Sequence, residues 1–335
     1  IEVINKGDKA RTVAYQLEGP NGLPREGGWY AQKIGRQWGQ AGLRDVVVAL
    51  DRPDRDYVEK DSVRCLDIIE GEPELWTLPL EYIGVDGQYF AAVLKPQDDD
   101  QQENWVDTSK AVQVGPIPEE KRYRYLTNVS CEITSKPIEL APGESVTHEY
   151  IMFAGPKKPE IVDSDGLDWL IYYGWFSPVS KLLLVVLHFF ANYITFGNYG
   201  LAIVLLTVTV RLCMFPLSRK QVLGMQKMQE LQPEMKKIQE RYKNEPEKRM
   251  KAQQELFRKA NYNPLSGCLP VLVQMPIFIG LYRALLSDVE LRQAPLISEN
   301  VRWASNLAAP DMAFYWADFM PSIVVSTLGP YLNIL

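Results

Sequence analysis

Histidine and cysteine are scarce in this chain, and the scarcity removes several kinds of chemistry at once. Its 335 residues include 2 histidines, His148 and His188, and 4 cysteines, none at metal-ligand spacing. Zinc centres draw on those two residue types, so no metal site is expected. No GxxxxGK[ST] stretch is present, and no nucleotide site is expected either. Carboxylates are missing from the two most apolar stretches, 201–217 and 264–287. Cys65 and Cys131 would be able to pair in an oxidising compartment, although two unrelated buried thiols is the preferred reading. Cys213 and Cys268 lie in apolar runs and read as small packing residues. No initiator Met or signal peptide opens the chain, and it stops inside an apolar run. The expectation is an excerpt of a longer protein, with an N-terminal membrane anchor and later spans outside it.

What the chain does have is charge sorted into blocks. Residues 1–166 hold 19 Lys/Arg against 30 Asp/Glu, residues 218–263 hold 12 against 6, and residues 288–318 hold 2 against 5. The overall −6 averages over these opposite signs. Short loops rich in Lys and Arg stay in the cytoplasm, which assigns 218–263 to that side and the acidic segments to the other. A solvated hairpin of a soluble protein fits poorly, because the flanking runs are too long and too apolar for ordinary core helices.

Residues 1–160 read as an all-β domain, with strand patterns alternating with turn clusters. "EYIGVDGQYFAAVL" joins two strand patterns at Asp86-Gly87, where both turn positions need positive φ. "PIELAPGESVTHEYIMF" repeats the theme around Pro142-Gly143, and "PQDDDQQEN" (96–104) is a polar loop. A β-sandwich is the natural solution.

Residues 167–196 are aromatic-rich, with Pro178 breaking the pattern. A crossing there would put the acidic β domain on the side of the basic hairpin. An interfacial amphipathic helix anchored by Trp169, Tyr172, Tyr173 and Trp175 is therefore favoured over a span. Residues 199–217 then form a span about 28 Å long, ended by Pro216, with Ser218 and Gln221 as a capping box for a new helix. Met228, Leu231, Met235, Ile238 and Tyr242 alternate spacings of three and four, a coiled-coil seam with a kink or restart at Pro233. "KNEPEK" (243–248) turns the chain, and Met250, Gln253, Phe257 and Ala260 continue a weaker seam on a returning helix. Residues 218–263 thus make an antiparallel helical hairpin. A second span, 264–287, carries Pro264, Pro270 and Pro276 with Gln274 near its middle. Residues 288–318 return outside, and a third span starts near Phe319 and runs on to Leu335.

Arg211 raises the main question. An arginine costs roughly 2.5–3.5 kcal/mol at mid-span, yet this one lies about 9 Å along the helix from Leu217 at the helical rise per residue. One reading has it snorkel to the cytoplasmic boundary. The other adds Thr207, four residues earlier on the same face, and Gln274 with the proline-rich second span. Together these describe a hydrated pocket, open to the cytoplasm, whose counter-charge arrives with a substrate.

"VTVRLCMFPLSRKQ", "MQELQPEMKKIQERY", "NYNPLSGCLPVLVQMPIFIGLYRALL" and "VELRQAP" resemble the core of the YidC membrane protein insertases, and "LEGPNGLPREGGWY" and "FAGPKK" resemble the end of the periplasmic domain of Gram-negative members. The resemblance implies a polytopic α-helical membrane core preceded by an all-β periplasmic domain of β-supersandwich type. It further implies a hydrophilic groove open to cytoplasm and lipid, in the bacterial inner membrane. The family's groove arginine matches Arg211, its polar neighbours Thr207 and Gln274, and its substrate contacts along the second core span Met275 and Pro276. The hairpin matches a segment the family uses with ribosomes, with Lys227, Lys236, Lys237, Arg241, Lys248 and Arg249 as its basic contacts. Implied partners are nascent membrane proteins, the ribosome, the Sec translocon and membrane lipids, with no specific nucleic-acid sequence and no cofactor. Two rivals are a transporter or channel subunit, in which Arg211 selects an anion, and a sugar-modifying enzyme. The first needs a polar path to the outside, where only Arg283 offers itself. The second has no carboxylate constellation around His148.

Overall fold

The computed structural model describes residues 1–23, 44–52, 57–71, 74–97, 104–243, 245–260, 265–292 and 294–296, with short pieces at 307, 314–315, 320–321, 324–325 and 331–332. The side chains of 122, 220, 221, 224, 227, 265–271 and 273 fall outside that description. So do the second half of "LEGPNGLPREGGWY", the loop 98–103, Pro264, and the side chains of Lys227, Cys268 and Pro270.

The chain divides into a β unit and a helical unit. Two large sheets dominate the β unit. β4 (Asp45–Arg52), β5 (Tyr57–Arg64), β7 (Leu80–Asp86), β8 (Phe90–Pro96) and β13 (Tyr150–Pro156) form a five-stranded sheet in the order β13-β8-β7-β4-β5. β3 (Gln16–Glu18), β6 (Leu75–Trp76), β9 (Val106–Val114) and β10 (Asn128–Ser135) form a four-stranded sheet in the order β3-β10-β9-β6. The shared core takes Val46, Val48, Leu50, Ile83, Val85 and Leu94 from one sheet and Val106, Ala111, Val129, Cys131 and Ile133 from the other. The alternation is that of strands with one face inward. β4 departs from it, because Val47 and Ala49 are also fully buried, as expected for a central strand covered on both faces. α1 (Cys65–Glu70) follows β5, and α2 (Pro159–Ser164) follows β13.

The sandwich expectation holds, with two corrections at its turns. β7 and β8 do pair, but the chain reverses at Gln88–Tyr89. Gly87, whose N–H donates to the Phe90 carbonyl at 2.9 Å, is not in the left-handed region. The glycine that matters in this hairpin is Gly84, where a Cβ would lie 2.2 Å from the Ala92 carbonyl oxygen. Pro142-Gly143 is a turn as expected, with Gly143 at φ 79° and the Glu144 N–H donating to the Ala141 carbonyl. Its flanking strands do not pair with each other, however. β11 (Ile138–Leu140) pairs with β2 (Arg11–Val13), and β12 (Ser145–Thr147) pairs with β1 (Glu2–Ile4). Buried Asn5, between β1 and β2, holds the Pro142-Gly143 turn, its amide donating to the Leu140 and Ala141 carbonyls.

In the helical unit, α3 (Ser177–Phe189) continues as a single π-helical stretch, Phe190–Ile194. The helix therefore starts later than 167; Asp168–Leu170 is only a 3-10 turn, and Pro178 occupies the first helical turn. Its inward face is Ser180, Leu183, Leu184, Leu187 and Ala191, while Leu182, Val185, Phe189 and Tyr193 are exposed. The polar face expected of an amphipathic helix is thus reduced to Lys181 and Asn192. Of the expected aromatic anchors only Trp175 is fully exposed, at 90%; Trp169 and Tyr172 are half-buried and Tyr173 is buried.

α4 (Tyr199–Arg241) opens where expected, capped by the Asn198 side chain accepting the Leu201 N–H at 2.9 Å. It does not end at Pro216. The helix runs through Pro216 and Pro233 for 43 residues, so the Ser218 capping box is not used. Each proline removes one rung of a long ladder, and the backbone stays helical on either side. Met228, Leu231, Met235, Ile238 and Tyr242 are the half-buried positions amid exposed neighbours, as the seam predicts. They pack on α5 (Pro246–Lys259), which Pro246 opens at its first position. Met250 is the exception, 60% exposed. α6 (Leu265–Ser287) is likewise continuous through Pro270 and Pro276. Among the described residues, two helical stretches, Ser177–Ile194 and Tyr199–Arg219, are long and apolar enough to cross a membrane by length and composition.

The expected third span fares differently among the described residues. Val324 and Val325 are helical, but β15 (Tyr331–Leu332) is extended and pairs with β14 (Phe314–Tyr315).

Candidate functional site

α3, α4 and α6 approach closely because small residues meet at their contacts. Ser180, fully buried on α3, donates its hydroxyl to the Gly280 carbonyl of α6 at 2.9 Å. A Cβ on Gly280 would sit 2.8 Å from Val179 Cγ1. His188 of α3 meets Tyr199 of α4 edge to face, ring centroids 6.2 Å apart. This packing leaves a cavity of about 140 Å³ between α4 and α6, lined by Thr207, Val210, Arg211, Met214 and Ser218 from one and Gln274, Ile277, Phe278 and Leu281 from the other. At about 30 Å³ per molecule, that is room for a few waters.

Three of the residues singled out in the sequence therefore meet around one cavity: Thr207, Arg211 and Gln274. The Thr207 hydroxyl donates to the Ile203 carbonyl one turn back, at 2.8 Å, and its oxygen remains able to accept. No carboxylate among the described residues pairs with Arg211. Met275 and Pro276 do not line the cavity; Met275 is half exposed. One step along a helix turns a side chain by about 100°, which carries position 275 off the face that holds 274. The sequence reading missed Val210, Met214 and Ser218, and Ile277, Phe278 and Leu281. Their signal was available, since they follow Thr207 and Gln274 at the three-and-four spacing of one helical face.

On the hairpin, Lys236, Lys237, Arg241 and Lys248 are exposed and Arg249 half-buried. Lys248 pairs with Glu245 at 2.5 Å, and Arg241 stacks over Tyr242.

In the β unit His148 is 4% exposed and sits in an aromatic network rather than a catalytic one. Its Nδ1 lies 2.6 Å from the Tyr15 hydroxyl, which is 3.0 Å from the Tyr150 hydroxyl, to which Trp105 Nε1 donates at 3.1 Å. The Trp105 ring stacks on His148 at 4.7 Å. Burial lowers the His148 pKa from its ordinary value. Burial also pushes the Tyr15 phenol up, and its bond with Tyr150 adds to that.

Two family models match the chain. The one described as 60Kd inner membrane protein covers residues 189–333, and the one described as YidC periplasmic domain covers residues 67–186. Similar curated proteins bear the name membrane protein insertase YidC. The protein of Geotalea daltonii is 40% identical over 185 residues, 55% of this chain and 34% of that one. The protein of Geobacter sulfurreducens is 41% identical over 189 residues, 56% and 34%, and that of Cupriavidus necator 41% identical over 175 residues, 52% and 30%. The chain matches about a third of the length of these relatives. With adjoining family models running from residue 67 to residue 333, and relatives of one name about 40% identical over about half of the chain, the chain belongs to the YidC family.

Proposed function

We propose that this chain is part of a bacterial inner-membrane insertase, and that the cavity around Arg211 receives the hydrophilic tail of a nascent membrane protein. The observation that carries the reading is the convergence of Arg211, Thr207 and Gln274 on one cavity with no carboxylate paired to the arginine among the described residues. Polar groups crossing hydrocarbon lose their water, so a wet notch reaching partway through shortens the dry distance. Arg211 supplies a positive potential there for acidic tail residues. The apolar part of the substrate then enters lipid, driven by burial at about 25 cal/mol per Å². No nucleotide is needed for that step.

The same reading makes the chain multi-pass. α4 crosses with its first residues outside, the basic hairpin 218–263 lies in the cytoplasm, and α6 returns. α3 lies across the outer ends of the spans. Its support is that α3 meets α4 at Tyr199, the first residue, and α6 at Gly280, two turns short of its end. A helix running the full depth beside them would meet one of the two near its inner end. Lipid around an interfacial helix also accounts for the apolar character of the exposed side of α3. The β unit is then periplasmic. The hairpin, through Lys227, Lys236, Lys237, Arg241, Lys248 and Arg249, takes the ribosome, and the protein works with membrane lipids and the Sec translocon.

The test is insertion of a substrate with an acidic tail by reconstituted protein. Arg211→Glu should abolish it, Arg211→Ala impair it, and Arg211→Lys largely retain it. Normal insertion by Arg211→Glu would remove the electrostatic role.

A further inference from the structure

The turn between β7 and β8 holds more than two strands. Lys157, just past β13, is 5% exposed, and its ammonium donates to Asp86 Oδ1 at 2.9 Å, the Gly87 carbonyl at 2.7 Å and the Leu170 carbonyl at 3.1 Å. Three ammonium donors meet three acceptors. The Lys157 N–H also donates to the Tyr89 carbonyl at 2.8 Å. The turn thereby grips the chain as it leaves the sandwich and ties fully buried Leu170 to the same point.

The same turn holds a second piece of chain. Arg292 lies with its guanidinium 5.8 Å from the Tyr89 ring centroid and 5.2 Å from that of Phe90. Beside it, Glu290 pairs with Lys158 at 3.0 Å, and Leu291 is 2% exposed. Asp288 orders this short turn by accepting the Glu290 N–H at 3.0 Å. Glu290 and Arg292 each find a complement, an ammonium for the first and two aromatic faces for the second. Both pieces belong to the β unit, yet one leads into the helical unit after Tyr172 and the other leaves α6 at Ser287.

We propose that the β7–β8 turn is an intramolecular docking site for residues 288–292, so that one turn holds both the chain entering the helical unit and the chain returning from α6. The turn then does more than join two strands, because it fixes residues 288–292 within the β unit. This inference stands on the β unit alone and holds whether or not the Arg211 cavity receives substrate.

Hydrogen exchange on the full protein in lipid nanodiscs tests it. The double variant Asp86→Leu/Lys157→Met removes both buried charges together and touches neither Glu290 nor Arg292. The expected result is exchange about tenfold faster at residues 289–292, with residues 46–50 of β4 still protected. Protected β4 with unchanged exchange at 289–292 overturns the proposal. If β4 also loosens, Arg292→Gln decides: faster exchange at both 289–292 and 168–171 supports a shared hold, and a rise confined to 289–292, or none, overturns it.

Discussion

Acid should loosen the β domain through a single side chain, His148. Its Nδ1 faces the Tyr15 hydroxyl at 2.6 Å, and Trp105, Tyr150 and Tyr15 complete a chain of donors running toward it. Trp105 Nε1 can only donate, so the chain is satisfied throughout when His148 is neutral and accepts from Tyr15. Tyr150 belongs to the five-stranded sheet, whereas Trp105 leads into β9 of the four-stranded one, so the network bridges the two layers. Burial holds the His148 pKa below its ordinary value. Between that lowered pKa and about 6.5, the unfolded chain binds a proton that the folded chain refuses. Stability is therefore fully present above about pH 6.5 and falls on acidification by up to about 1.4 kcal/mol per pH unit from this residue, until the folded-state pKa is reached. Carboxylates titrate at lower pH and are common to both arms of the comparison. Denaturant unfolding of the strand signal, followed by circular dichroism from pH 7.5 to 5.5, should show this slope in the parent protein. His148→Asn should be less stable at pH 7.5 by about 1–3 kcal/mol, the cost of stranding a buried hydroxyl, and should lack the slope. Equal slopes in the two proteins would refute the reasoning.

Lys157→Met alone strands a carboxylate that is 0% exposed and should cost about 3–5 kcal/mol in the same unfolding measurement; replacing Asp86 by Leu as well should recover most of it, and a double variant as unstable as the single one would argue against the pair. Gly280→Ala drives a Cβ to 2.8 Å from Val179 Cγ1, which should destabilise the helical unit by about 1–3 kcal/mol. Val179→Ala in the same chain should relieve that loss, as read by thermal unfolding in detergent, whereas additive losses would contradict the close contact. Burial raises the Cys65 thiol to about 11 and the Cys131 thiol to about 12, so neither should react with maleimide at pH 8 until the protein is denatured; rapid labelling of either in the folded chain would be inconsistent with their burial.

The sequence by itself determined the division into an acidic β part and a helical part with apolar stretches, because strand alternation and helical periodicity are local patterns. It also determined the hairpin seam, whose spacing alone says which face of α4 is covered. Thr207, Arg211 and Gln274 were legible as polar residues in apolar surroundings, and that anomaly needs no coordinates. What only the tertiary structure decided was everything set by packing between distant segments. Pro216 and Pro233 carry strong local signals to stop a helix, yet α4 passes through both, since one lost hydrogen bond is small against a ladder held on either side. The strands flanking Pro142-Gly143 look like a hairpin but pair with β1 and β2, because backbone donors accept any partner of matching register. Gly280, Lys157 and Arg292 were ordinary letters until the chain brought Val179, Asp86 and Tyr89 against them, because sequence separation hides which surfaces will touch.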